Sequence, residues 1–134
     1  MKYKLKEGEK VRTRIASIET ATVIEAGDLV TVSAGYIVKA AAASTAVAWS
    51  PNAHAANSGT EIEVSVGNDF TLLTTGEAAF AIAYKGGEYD INDTTQTIDW
   101  DASTTDVLKI SIDKSAGVVG SADDIEVRIN KPLF

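Results

Sequence analysis

Residues 61–66 read Glu-Ile-Glu-Val-Ser-Val, a strict alternation that puts Ile62, Val64 and Val66 on one side of an extended backbone. A period of two has one simple solution, a β-strand with one face on a core. The pattern returns twice. Leu108, Ile110 and Ile112 alternate with Lys109 and Ser111, and Ile125, Val127 and Ile129 alternate with Glu126 and Arg128. In each run the aliphatic residues are expected inward and the polar ones outward. Half-polar strands of this kind favour antiparallel pairing, because parallel strands are covered on both faces.

Weaker runs fill the intervals. Residues 11–18 alternate imperfectly, residues 20–25 are short and β-branched, and residues 70–75 form a further strand. Residues 29–33 and 36–40 flank Ala34-Gly35, with a turn at Ala26-Gly27-Asp28 before them, which reads as a hairpin. Residues 79–84 and 88–91 flank Gly86-Gly87, a two-residue hairpin signal, with Phe80, Ile82 and Tyr84 on one face. Residues 97–101 set Ile98 and Trp100 together. Four successive alanines at the start of residues 40–48 favour helix by propensity. They carry no apolar stripe at helical spacing, so we read a strand end leading into a loop. Residues 49–59 are a long loop of Pro, Asn, Ser and Gly in which Trp49 is the only bulky side chain. Residues 114–123 are a Gly/Ser loop, and Pro132 stops the last ladder.

Eight to ten short strands at intervals of roughly 8–12 residues predict an all-β fold, a single antiparallel β-sandwich or small β-barrel. At 134 residues the chain is long enough for one real core. We divide it into a basic extended N-terminal arm, residues 1–14, and a single β domain, residues 15–134.

Charge separates these parts. The net charge is −7, yet residues 1–14 carry Lys2, Lys4, Lys6, Lys10, Arg12 and Arg14 against Glu7 and Glu9. The arm therefore stands at +4 and the other 120 residues at −11. An acidic body argues against nucleic acid as the main partner, and a basic arm on it suggests docking on an acidic protein surface. No apolar segment long enough for a signal peptide or a membrane span follows the basic terminus, so we expect a soluble protein made in a cytoplasm, without a membrane partner.

Catalytic constellations are missing. There is no cysteine, which removes thiol chemistry and Cys-based zinc sites. His54 is the only histidine, and we expect it exposed in the long loop. No serine lies in a Gly-x-Ser-x-Gly elbow. Asp90, Asp93, Asp99, Asp101 and Asp106 crowd together but lack the regular Asp-x-Asp-x-Asp-Gly spacing of a calcium loop. On alternating residues Asp99 and Asp101 share a face, as Glu61 and Glu63 do on theirs, which is the look of solvated surface. Gly86-Gly87 and Gly117/Gly120 have no following Lys-Ser/Thr and helix, so no phosphate loop exists. Trp49 and Trp100 are either a sugar-stacking platform or anchors of a core or interface. The expectation is a protein that is not an enzyme and needs neither cofactor nor metal.

One motif points further. The turn Ala26-Gly27-Asp28 followed by Leu29-Val30, a second glycine at Gly35, and Ile37-Val38-Lys39-Ala40 resembles the small β-rich decoration (cement) proteins of tailed-phage heads. The resemblance covers about the first third of the chain, and nothing after Ala43 matches a motif of that kind. It implies a structural virion protein on the outer capsid surface, made in the host cytoplasm, that stabilises the lattice of the major capsid protein. It also implies a homo-oligomer, with a trimer favoured. On that reading the capsid contacts are Lys2, Lys4, Lys6, Lys10, Arg12 and Arg14 of the arm and Trp49 of the long loop. The alternative is a carbohydrate- or receptor-binding β-sandwich module of a phage fibre or surface protein, using Trp49 or Trp100.

Overall fold

In a computed structural model that describes residues 2–134, the chain is all β apart from one 3₁₀ turn at Ile82–Tyr84. Eleven strands follow in order: β1 (Lys4–Leu5), β2 (Thr13–Ser17), β3 (Leu29–Ser33), β4 (Tyr36–Lys39), β5 (Ala48–Trp49), β6 (Glu61–Ser65), β7 (Leu72–Thr74), β8 (Glu88–Ile91), β9 (Ile98–Asp99), β10 (Leu108–Ile110) and β11 (Ile125–Ile129). They form a six-stranded sheet in the order β1-β7-β11-β10-β8-β9, a two-stranded sheet β2-β6, and a three-stranded sheet β4-β3-β5. Every paired strand is antiparallel, as half-polar alternation requires.

The three-stranded sheet is the shared wall between two cores. On β3, Leu29 enters the larger core and its neighbour Val30 the smaller. On β5, Trp49 faces the larger and Ala48 the smaller. Alternation at a wall covered on both faces gives consecutive apolar residues, which explains the runs Leu29-Val30 and Val47-Ala48-Trp49. The larger core lies under the six-stranded sheet and takes Leu72, Val127, Leu108, Ile110 and the aromatics Tyr3, Phe70, Phe80 and Trp100. The smaller lies under β2 and β6 and is aliphatic: Ile18, Ile24, Val30, Ile37, Ile62 and Val64. Leu133 and Phe134 pack against it, and the Arg14 guanidinium stacks 4.7 Å over the Phe134 ring.

The opening hairpin is present. Val30 pairs with Lys39 and Val32 with Ile37. Its turn residues Ala34 and Gly35 both have positive φ (51° and 86°), the conformation of a tight hairpin turn whose twist matches its strands.

Four expectations are corrected. The second hairpin does not form: residues 82–84 wind into the 3₁₀ turn, and Ile82 is 60% exposed. From this turn the Tyr84 ring stacks on Trp100 at 4.1 Å, a tertiary contact that the local pattern of the sequence does not carry. Ile112 lies beyond the end of β10 and is 76% exposed rather than inward. Glu126, read as outward and solvated, is 4% exposed, because Lys6 folds over it. The N-terminal segment is not a free arm, since Tyr3 is fully buried and Lys4–Leu5 is an edge strand on β7.

Candidate functional site

The N-terminal strand places cations on a sheet. Lys4 stands opposite Leu73 on β7, and Leu73 stands opposite Glu126 on β11. One row further along, Arg128 on β11 stands opposite Lys109 on β10, which stands opposite Glu88 on β8. Their neighbours Leu72, Val127, Leu108 and Ile110 point into the core. Strand alternation therefore directs Lys4, Leu73, Glu126, Arg128 and Lys109 to the outer face of the six-stranded sheet. Lys4, Lys109 and Arg128 are exposed. Lys6 reaches the same face, with Nζ 3.0 Å from Oε1 of Glu126. A buried carboxylate needs such a partner, and this ammonium neutralises the one acid inside the face. A shallow groove lined by Lys109, Ser111, Ile112, Asp113 and Arg128 opens at the β10 end.

The six arm cations divide accordingly. Lys4 and Lys6 join the sheet face. Lys2 leaves it, with Nζ 3.4 Å from Oδ1 of the buried Asp28 and donating to the Thr94 carbonyl at 3.4 Å. Burial works against the Lys2 ammonium, but its contacts with Lys39 and Asp28 hold it above the usual lysine range. The same contact with Lys2, helped by burial, holds Lys39 below it. Arg14 stacks on Phe134, while Lys10 and Arg12 are exposed in the segment between β1 and β2. Lys109 and Arg128 were not singled out as binding residues from the sequence. They sit far from the arm along the chain, and alternation marks them only as outward.

Trp49 is not a loop contact. It is 4% exposed on β5, its indole Nε1–H donates to the Tyr3 carbonyl at 3.0 Å, and its ring packs on Phe70. Trp100 is 8% exposed, donates to the Ala78 carbonyl at 2.9 Å, and is covered by Tyr84. Both indoles are core anchors, so neither offers a sugar a free ring face.

The remaining chemistry-bearing side chains hold the fold. His54, expected to be exposed, is 4% exposed and pinned, with Nδ1 2.6 Å from the Thr22 carbonyl and Nε2 2.9 Å from the Gly59 carbonyl. Together with the Ile24–His54 bridge this fastens the long loop to the smaller core. Asp28 accepts the Glu25 N–H through Oδ2 at 2.9 Å, as a turn-forming aspartate does. Asp90 accepts three backbone N–H groups at Oδ1, from Thr104, Thr105 and Asp106, at 2.8–2.9 Å. Burial raises its pKa, but the donors of Asp106, Thr105 and Thr104 prevail and hold it below the usual carboxylate range. Gln96 is fully buried and spans the structure. It accepts from the Leu29 N–H and donates to the Leu29 and Ala40 carbonyls, while the Tyr3 hydroxyl donates to its own carbonyl at 2.6 Å. Burial pushes the Tyr3 phenol far above its usual range against the opposing contact with Thr74.

Of the acidic residues, Asp99 and Asp101 come together with Glu77, their oxygens within 4.8 Å of one another. These oxygens already serve the fold: Glu77 accepts from the Trp100 N–H and the Asn92 amide, and Asp99 accepts from the Asp101 N–H. Among the described residues, no helix is long and apolar enough to cross a membrane. Compared with protein-family models, with the curated proteins and with the solved structures, the chain finds no match.

Proposed function

We propose that this protein is a structural decoration subunit of a tailed-phage head, a non-enzymatic clamp on the lattice of the major capsid protein, assembled there as a homo-oligomer with a trimer favoured. The observation that carries this reading is the division of labour among side chains. His54, Asp28, Asp90, Gln96 and Glu126 are buried and committed to internal partners. The larger side chains left to solvent suit docking. Ile15, Val23, Val32 and Tyr36 are exposed on the smaller body, and Ile82, Ile112, Val118 and Val119 on the larger. A chain with apolar contacts on both bodies is suited to bridging neighbouring subunits, where several weak contacts add through multivalency. The resemblance of Ala26-Gly27-Asp28, Gly35 and Ile37-Val38-Lys39-Ala40 to phage-head decoration proteins supports the choice of a capsid as the partner.

The test is co-sedimentation with heads assembled from the major capsid protein encoded nearest to this chain's gene. Deleting residues 1–14 would remove buried Tyr3 and confuse folding with binding. Val118→Glu combined with Val119→Glu alters only an exposed loop tip. Wild type should pellet with the heads and the double variant should lose most of that binding. Wild type left in the supernatant at every concentration would remove the decoration reading.

A further inference from the structure

We propose that the outer face of the six-stranded sheet, built from Lys4, Lys6, Lys109 and Arg128, is a docking site for an acidic segment of a partner protein. The chain carries −7 overall, so an anionic partner is repelled by most of its surface. Among the side chains that the strands and Lys6 bring to this face the sign reverses, Lys4, Lys6, Lys109 and Arg128 standing against Glu126 and Glu88. Strand register sets Lys4 beside Leu73 and Arg128 beside Lys109, and Lys6 cancels Glu126 between them. An approaching acidic group is steered to one place and one orientation.

The extent of the patch selects the partner. Acids fence it on each side: Glu88 ends the Arg128–Lys109 row, Asp113 lines the groove beside it, and Asp123 and Asp124 line the pocket next to Lys4. A nucleic-acid strand carries charge along its whole length and would cross these acids. It would also want aromatic faces to stack on. The aromatics of the larger core are buried or packed on one another. A short acidic protein segment fits inside the fence. The groove beside exposed Ile112 and the half-buried Leu73 offer apolar contact between the charges.

Docking of an acidic segment here requires no phage head, so its failure and that of the decoration reading are separable. The experiment is fluorescence anisotropy of a labelled peptide of about four glutamates, short enough to lie inside the fence, with the full chain at about 20 mM salt, where screening is weak. Saturable binding is expected. Lys109→Glu with Arg128→Glu should weaken it by about tenfold or more. Lys10→Glu with Arg12→Glu makes the same change in net charge outside the strands of the sheet, and should weaken it by no more than about threefold. Glu126→Gln removes the one acid within the face and should tighten binding. This variant keeps the test decisive if the double reversal disturbs folding. The site is overturned if wild type does not bind the peptide, if the two double variants lose equally, or if Glu126→Gln leaves affinity unchanged. Tighter binding of a single-stranded oligonucleotide of similar length, lost in the Lys109/Arg128 variant, would overturn the choice of partner.

Discussion

The core beneath the six-stranded sheet and the core beneath β2 and β6 share one wall, yet they hold together by different means. The larger contains eighteen buried residues, with aromatics that interlock edge to face and stacked: Phe80 on Tyr84 and Trp100, and Trp100 on Tyr89. The smaller contains seven, all aliphatic. It is closed by devices at its rim: the pinned His54, the Arg14–Phe134 stack and the C-terminal Leu133. A large core rests on area removed from water and on close packing. A small one has less area to remove and depends more on what ties its edges. Glycine shows how tight the larger core is. A Cβ at Gly117 would sit 2.9 Å from the Phe80 ring, and one at Gly76 2.8 Å from the Trp100 ring.

The comparison can be broken most directly by matched truncations. Leu72→Ala, in the larger core, should cost about 4 kcal/mol in urea unfolding, and Ile37→Ala, in the smaller, about 2 kcal/mol, because a core of seven residues has fewer neighbours to lose and collapses more readily around the gap. Equal losses would show that both cores are equally rigid. Next in size is Gln96→Leu. It keeps the volume but strands the Leu29 N–H and the Ala40 carbonyl, while the Leu29 carbonyl keeps the Ala40 N–H, and should cost about 3 kcal/mol. A loss below that of Ile37→Ala would mean that this amide does little to fasten β3 and the end of β4 to the larger core. The smallest effect is in pH. Asp90 has a folded pKa below its ordinary value of 3.8, so its contribution is complete above that value and disappears as pH falls through the folded one. Asp90→Asn should be less stable than wild type near neutral pH and lose less further stability in acid. Parallel acid-unfolding curves for the two would remove that role. Because Asp90 serves the larger body, the acid loss should appear in probes of Trp100 before probes of the Ile24–His54 bridge.

Legibility in the sequence followed local pattern. β6 and β11 were readable because their aliphatic residues alternate with polar ones in the sequence, even though Glu126 on β11 and Ser65 on β6 are buried too. The β3–β4 hairpin was readable from its turn, since Ala34-Gly35 supplies two positive φ values. β1 and β5, two residues each, were not read as strands, because no pattern can show in so short a run. Residues 82–84 were misread for another reason. Phe80, Ile82 and Tyr84 fit a period of two, but the chain turns there and Tyr84 stacks on Trp100, a contact that local pattern does not carry. The candidate site was half legible. The arm lysines stood out by charge density, while Lys109 and Arg128 looked like ordinary outward residues until sheet order put them on the same face as β1, across β7.

The Ile24–Ala43 stretch shows where the boundary falls. Composition and alternation determined that the chain is all β, antiparallel and held without disulfides, because each strand's pleat and each turn's φ are local properties. Tertiary structure decided that this stretch becomes a wall between two cores. It decided that Tyr3 and Trp49 lie inside and that Lys4 and Lys6 align with Arg128 and Lys109. Those outcomes depend on which strands pair across long separations and on which surfaces are then covered, and burial of that kind is a property of the assembled sheets.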